Sequence, residues 1–289
     1  MADDGPFCRP GPLIDSTDLA ICYRAVPQAG QVEPPIIEVG ALATPVAGIA
    51  FDYAPGHHIP EHRHDAAQLI FATSGVMTVR TSAGSWVVPT QRAVWVPTLE
   101  EHSIRITGHV DMRTIYVCTG SARRLHKTCA VIHVSGLLRE LVLRIVETTE
   151  RPIGDAAEAR LARVFFDELK VAPQVPLHLP SPTDARLLRV TEALQADLSD
   201  QRTLAEWARV AGASERTLAR LFVSETQMTF GQWCQQARLL RGLELIALGR
   251  AVTQIALDLG YESPSAFIAM FRKATGTTPL QYFRTNQPV

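Results

Sequence analysis

Two sets of side chains have the types and spacing for specific chemistry. The first is His62 and His64. Residues two apart on a β-strand point to the same face, so an extended backbone there sets two imidazoles side by side. Imidazole nitrogen is a ligand for Zn, Ni, Fe or Cu. It is equally a hydrogen-bonding group for an effector or a water, and the pair alone leaves both readings open. The second set is Arg216 and Arg220, four apart and hence on one helical face, with Leu218, Leu221 and Phe222 on another. A guanidinium donates bidentately to guanine O6 and N7 in a DNA major groove. No Ser, Cys or carboxylate spacing suggests nucleophilic catalysis, and no Gly-rich phosphate loop occurs. His57 and His58 fall in an expected loop and read as surface residues.

The elements that position these groups follow from patterning. Gly48 to Thr119 is β-rich, with short apolar segments such as Val76 to Thr81, Ser85 to Val88 and Ala93 to Val96. They are punctuated by Ser74-Gly75, Ala83-Gly84 and Pro97, which predicts a barrel or jelly roll. After it, residues 133–149 and 155–170 carry apolar residues at helical spacing. Such helices cover the barrel or pair two chains. Val171 to Thr183 holds Pro173, Pro176, Pro180 and Pro182 and reads as a semi-stiff linker. A helix over Asp184 to Ser199 then opens the C-terminal part.

That part repeats itself. Leu204 to Ala208, Gly212 and Ser214 to Phe222 recur as Val252 to Ala256, Gly260 and Ser263 to Phe271, 48 residues on at Ala208/Ala256 and 49 at Ser214/Ser263. Each copy reads as helix, Gly-containing turn, N-capping Ser and second helix, a helix-turn-helix. Between them Thr229 to Leu248 reads as one helix about 30 Å long. Successive major-groove faces recur at roughly 34 Å, so one chain can set two helices in adjacent grooves.

Composition narrows the class. The chain has 289 residues, which suggests two domains, and 46% hydrophobic residues, enough for real cores. No apolar run is long enough to span a membrane. The acidic start, Met1 to Pro6, lacks an apolar signal segment. Five scattered cysteines (Cys8, Cys22, Cys118, Cys129, Cys234) read as reduced thiols in a cytoplasm. Net charge is −1; from Ser181 onward 12 Lys and Arg face 10 Asp and Glu. Basic groups must therefore be placed rather than abundant, and binding to non-specific DNA should be weak.

The repeated stretch resembles the DNA-binding domain of the AraC/XylS family of bacterial transcription regulators. The match is carried by Ile255-Ala256, Gly260-Tyr261, Ser265-Ala266-Phe267, Phe271-Arg272-Lys273, Gly276, Thr278-Pro279 and Tyr282, and covers about the last 100 residues. The resemblance implies DNA contact through Ser214, Glu215, Arg216, Thr217 and Arg220 in the first motif. In the second it implies Ser263, Ser265, Ile268, Ala269, Arg272 and Lys273. At matched positions Arg216 faces Ser265 and Arg220 faces Ala269, so hydrogen-bonded base readout is expected mostly from the first motif. Ile268 and Ala269 suit thymine methyls, and Arg272 and Lys273 suit phosphates. Two departures stand out: Gln227 matches Gly276 and Phe230 matches Pro279, so the first recognition helix is expected to end differently.

Gly56, His62, His64, Gln68 and Gly75, followed by Pro97 to His102, resemble the two cupin motifs, with Gln68 where Glu is usual and Leu99 where Gly is usual. This implies a metal set of His62, His64, Gln68 and His102 holding a divalent transition metal (Zn, Ni or Fe), or an effector site on His62, His64 and His102. The expected architecture is a multidomain α+β chain. It has a flexible arm at 1–20, a cupin-like sensor barrel at 21–133, a helical dimerisation or packing segment at 134–172, a Pro-rich linker at 173–182 and a double helix-turn-helix domain at 183–289. The expected function is a cytoplasmic, sequence-specific transcription regulator, not an enzyme and with no membrane contact. Its expected partners are double-stranded DNA, a small effector or metal, a second copy of the chain and, as for an activator, RNA polymerase. The alternative is a metal-dependent cupin enzyme fused to a DNA-binding domain.

Overall fold

The computed structural model describes residues 36–37, 45–123 and 125–284. The expected arm at 1–20 lies outside them, as do Cys8 and Cys22. The strands are β1 (Ile36–Ile37), β2 (Val46–Tyr53), β3 (His58–His64), β4 (Ala67–Thr81), β5 (Gly84–Pro89), β6 (Arg92–Val96), β7 (His102–Val117), β8 (Ala130–His133), β9 (Gln174–Val175) and β10 (His178–Pro180). A short helix α1 (Thr119–Ala122) follows β7, and α2 (Gly136–Glu150) and α3 (Asp155–Val171) follow β8.

Two long strands organise the sheet. The N-terminal half of β4 pairs with β6 and with the C-terminal half of β7; its C-terminal half pairs with β5 and the N-terminal half of β7. Both bend where the register shifts between Ser74 and Val76. Gly75 sits there at φ 78°, and a Cβ on it would come within 2.3 Å of the His109 carbonyl oxygen. Only glycine fits both the left-handed backbone and the close approach. The expected Ser74-Gly75 turn is therefore a bend inside one strand. In place of the expected barrel or jelly roll, the described residues form a folded sheet that does not close among them: its pairing path is β1-β3-β7-β4-β6-β8-β9, with β2, β5 and β10 as branches.

Alternation sorts the side chains. Leu69, Phe71, Ala93, Trp95 and Ile115 pack with Leu138, Val142 and Ile145 of α2 and Phe165 and Leu169 of α3. Ile70, Ala72, Val94 and Met112 point to the other face. Gly48 of β2 lets α2 lie close, since a Cβ there would meet the Val146 backbone at 2.8 Å. The helices at 136–150 and 155–171 thus cover one face of the sheet, while Leu137, Ile153 and Val164 remain exposed.

The expected linker is built into the sheet. β9 pairs with β8, and β10 pairs with β5. Prolines are tolerated because each sits beside a short edge pairing, where a missing N–H is harmless.

The C-terminal domain comprises α4 (Ala185–Ala196), α5 (Leu204–Ala211), α6 (Glu215–Thr226), α7 (Phe230–Ala247), α8 (Val252–Asp258), α9 (Pro264–Thr275) and α10 (Pro279–Arg284). Side chains cap the starts: Thr203 and Glu206 form a capping box on α5, Thr229 and Gln232 another on α7, and Ser214 and Ser263 cap α6 and α9. Trp207, Phe222, Trp233, Phe267 and Phe271 are fully buried, and each such Phe stabilises the fold by roughly 1.5–3 kcal/mol. Ala208 and Ala256 are buried. The two motif-second helices end alike, contrary to expectation: Gln227 adopts the left-handed conformation at φ 58°, as Gly276 does at φ 83°. The domain docks on the sheet through the former linker. Trp233 Nε1 donates to the Pro180 carbonyl (3.2 Å), and Gln236 Nε2 to those of Pro176 (2.6 Å) and His178 (3.1 Å). No described helix is long and apolar enough to cross a membrane.

Candidate metal centre and nucleic-acid interface

The histidines converge. β3 pairs with β7, and its bulge after Ile59 makes His62 the direct partner of His102. His62, His64, His102 and Gln68 are all buried, and the ligating nitrogens of the three imidazoles lie within 4.8 Å of one another. Ring centroids are 4.3 Å apart for His62 and His102, and 5.3 Å for His64 and His102.

Each ring is held from behind by main chain. Nδ1 of His62 contacts the Pro60 carbonyl at 2.8 Å, that of His64 the Ala66 carbonyl at 2.5 Å, and that of His102 the Glu100 carbonyl at 2.8 Å. A carbonyl only accepts, so each Nδ1 carries the proton, and in the neutral ring Nε2 is left as an acceptor. Burial pushes the pKa of all three below the usual histidine value. His102 falls to about 3, through burial first and then through the neighbouring His62 and His64.

Gln68 is fixed as well. Its amide nitrogen donates to Thr114 Oγ1 (2.7 Å) and Tyr116 Oη (3.2 Å). Its oxygen therefore faces Nε2 of His64 at 3.0 Å and Nε2 of His102 at 3.2 Å. Acceptors meet acceptors, with no proton to share among neutral rings. Such a cluster is satisfied by a cation at its centre, and its donor set of imidazole nitrogens and an amide oxygen suits a divalent transition metal. Thr114 and Tyr116 were not singled out from sequence. Their signal was their place two apart on a strand, facing inward with Gln68. Leu99, in the position the cupin pattern gives to Gly, has φ 63° and is exposed beside the centre, its N–H bonded to the His64 carbonyl at 2.9 Å. His57 and His58 are exposed, as expected.

In the helical domain, Leu218 and Phe222 of α6 face the core while Arg216 and Arg220 are exposed. Among the described residues neither guanidinium has a hydrogen bond or ion pair, so Arg220 is not tied to a nearby carboxylate. Ser214 caps α6 by accepting from Thr217 N (3.1 Å) and shares a hydrogen bond with Thr217 Oγ1 (2.8 Å), and Glu215 is exposed beside it. In α9, Ser263 is the cap, Ser265 and Ala269 are exposed, Ile268 is half-buried, and Arg272 and Lys273 are exposed in the last turn. Helix α7 packs against α6, α8 and α9 and so holds both motifs in one body.

Comparison with known proteins gives these surfaces a context. Residues 47–165 match the model of the AraC-like ligand binding domain, and residues 207–285 match that of a helix-turn-helix domain. The HTH-type transcriptional regulator NimR of Escherichia coli is 37% identical over 223 residues, covering 77% of this chain and 81% of that protein. The HTH-type transcriptional regulator RipA of Corynebacterium glutamicum is 27% identical over 226 residues, covering 77% of this chain and 63% of that protein. The solved structure of ToxT from Vibrio cholerae overlays 83% of this chain and 98% of that one at 11% identity, loosely, with a TM-score of 0.36. NimR and RipA are named as transcription regulators rather than enzymes, which sets aside the fused cupin enzyme. With a relative this similar over most of both chains, and with both family domains in order, the chain belongs to the AraC-type family of helix-turn-helix transcription regulators.

Proposed function

We propose that this DNA-binding regulator senses a divalent transition metal held by His62, His64 and His102, with Gln68 as a neutral fourth ligand. The observation that carries the reading is the acceptor-only centre: three Nδ1 protons committed to main-chain carbonyls and an amide oxygen turned inward by Thr114 and Tyr116. A bound metal supplies positive charge that this shell otherwise lacks. Gln in place of a carboxylate leaves the site more cationic and the metal more weakly held, which suits a sensor that must release it. A second reading, direct hydrogen bonding of a small effector by the same histidines, follows from their burial in the ligand-binding domain.

Base readout falls to Arg216 and Arg220, whose guanidiniums are exposed and uncommitted, with apolar contacts from Ile268 and Ala269 and phosphate contacts from Arg272 and Lys273. Ser214, Glu215, Thr217, Ser263 and Ser265 line the same helix starts. The regulator acts in the cytoplasm on double-stranded DNA, engages RNA polymerase there, and pairs as a homodimer through Leu137, Ile153 and Val164 of the α2–α3 layer. The test is operator selection from random duplexes by the full chain, with metal and with chelator. The reading expects a selected sequence whose affinity changes at least severalfold between the two conditions. A selected operator bound identically in both, by protein verified to be metal-loaded and metal-free, removes the metal as effector.

A further inference from the structure

Between the sheet and the helical domain lies a half-open cavity of about 480 Å³. Its sheet wall carries Thr78, Arg80 and Arg105. Thr78 and Arg105 are register partners and Arg80 lies two residues beyond Thr78, so all three share one face. That face is opposite to the one bearing His102, three residues before Arg105 on the same strand. The helical wall carries Arg241 and Glu244 of α7 and Arg250 just beyond it.

The charges in this cavity are unevenly matched. Each of its acidic groups is engaged within the protein. Glu244 accepts from Thr78 Oγ1 (2.6 Å) and Arg241 Nη1 (2.8 Å), Asp197 accepts from Ser199, and Asp258 from Gln254. The guanidiniums of Arg80, Arg105 and Arg250 have no hydrogen bond or ion pair among the described residues. Arg80 and Arg105 are near enough that, after burial, the second charge is what most lowers the first one's pKa, and the Glu244 carboxylate offsets only part of that. Like charges are thus gathered on one wall, with a further cation on the facing wall, and Leu179, Leu240 and Leu259 also line the space.

We propose that this interdomain cavity is a second ligand site, separate from the histidine centre, that binds a compact organic dianion such as a dicarboxylate or a phosphomonoester. One anionic end meets Arg80 and Arg105 on the sheet, and the other meets Arg250 on the helical wall. A guanidinium pairs with either oxyanion through its planar fork of donors. The leucines accommodate a short carbon spacer. Because the walls belong to different domains, the ligand binds the docked arrangement in preference to an undocked one, favouring it about 100-fold when present at 100 times its dissociation constant. The site is then a clamp that sets how firmly the DNA-binding domain is held against the sensor sheet. This holds whether or not the histidine centre carries a metal.

Calorimetric titration of the full chain tests this with succinate, glycerol phosphate, inorganic phosphate and decanoate. One of the two organic dianions is expected to bind at least about tenfold more tightly than inorganic phosphate or decanoate, and which one it is separates a dicarboxylate source from a phosphorylated one. The double variant Arg80→Gln/Arg105→Gln, and separately Arg250→Gln, should weaken that binding about tenfold or more, equivalent to losing a charge-assisted contact. These side chains are exposed, so the variants should keep the parental circular dichroism and melting temperature without ligand. His62→Ala should bind the dianion as the parent does. The proposal is overturned if neither dianion gives binding heat at millimolar concentration, if the arginine variants bind unchanged, or if decanoate binds as tightly as the dianions.

Discussion

Thr78 of the sensor sheet donates its hydroxyl proton to Glu244 Oε1 of helix α7, 166 residues further along the chain, at 2.6 Å. Thr78 is buried and the Glu244 side chain is 15% exposed, so this bond is largely shielded from water. Glu244 is also the acceptor for Arg241. The pair ties the ligand-binding domain to the helix that carries both DNA-binding motifs.

Thr78→Val keeps the side-chain shape and removes the donor. A hydrogen bond to a charged group is worth about 1.5–3 kcal/mol, so the variant should unfold at correspondingly lower urea. The domains should also separate more readily, read as faster proteolysis within 173–182. A change under about 0.5 kcal/mol, the scatter of ordinary surface substitutions, would mean that the docking does not depend on this bond.

The helix-turn-helix repeat was legible because each copy signals locally, through Ser caps, Gly turns and apolar residues at helical spacing within one short window. The histidine pair was legible for the same reason. What escaped the sequence depends on partners far away. Residues 173–182 read as a linker because their pairing strands β5 and β8 lie elsewhere in the chain. Gly75 read as a turn because a bend within a strand uses the same residue as a reversal. The orientation of Gln68 rests on Thr114 and Tyr116, 46 and 48 residues away. Gln227 was expected to change the end of its helix, yet the Val223 carbonyl and the αL backbone impose the same cap that glycine adopts at 276.

That cap leads to a stability prediction. A non-glycine residue in the left-handed region costs about 1–2 kcal/mol, partly offset by the greater chain entropy of glycine when unfolded. Gln227→Gly should therefore stabilise the chain by about 0.5–1 kcal/mol in urea titration. A loss of stability would show that the Gln227 side chain, bonded to the Ser224 carbonyl at 3.2 Å, matters more than its backbone.

The histidine centre gives a pH prediction for metal-stripped protein. His62, His64 and His102 have folded-state pKa values below the unfolded value near 6.5, that of His102 at about 3. The unfolded chain therefore binds more protons than the folded one as pH falls below about 6.5, so stability is full above that pH and declines beneath it. Between about pH 6.5 and 5, where carboxylates are still ionised, the urea midpoint should fall steadily. His102→Asn should flatten the slope. A midpoint that is level across this window would mean that the rings take up protons without cost.

For DNA, Arg220→Ala should cost about 1–3 kcal/mol at a selected operator and relax preference at one base position. Ser265→Ala, at the place in the second motif that matches Arg216, should cost less. Competition binding against variant operators measures both. Equal loss on operator and random duplex would reassign Arg220 to the phosphate backbone.

The most direct measurement is elemental analysis of full-length protein purified without chelator from metal-supplemented medium, beside His62→Ala and Gln68→Glu. The account predicts close to one transition-metal ion per chain. The ion should be lost in His62→Ala and held more tightly against chelator in Gln68→Glu, and the parent's melting temperature should rise when metal is returned. A parent protein that emerges metal-free, and whose melting temperature ignores added Zn, Ni and Fe, would contradict it.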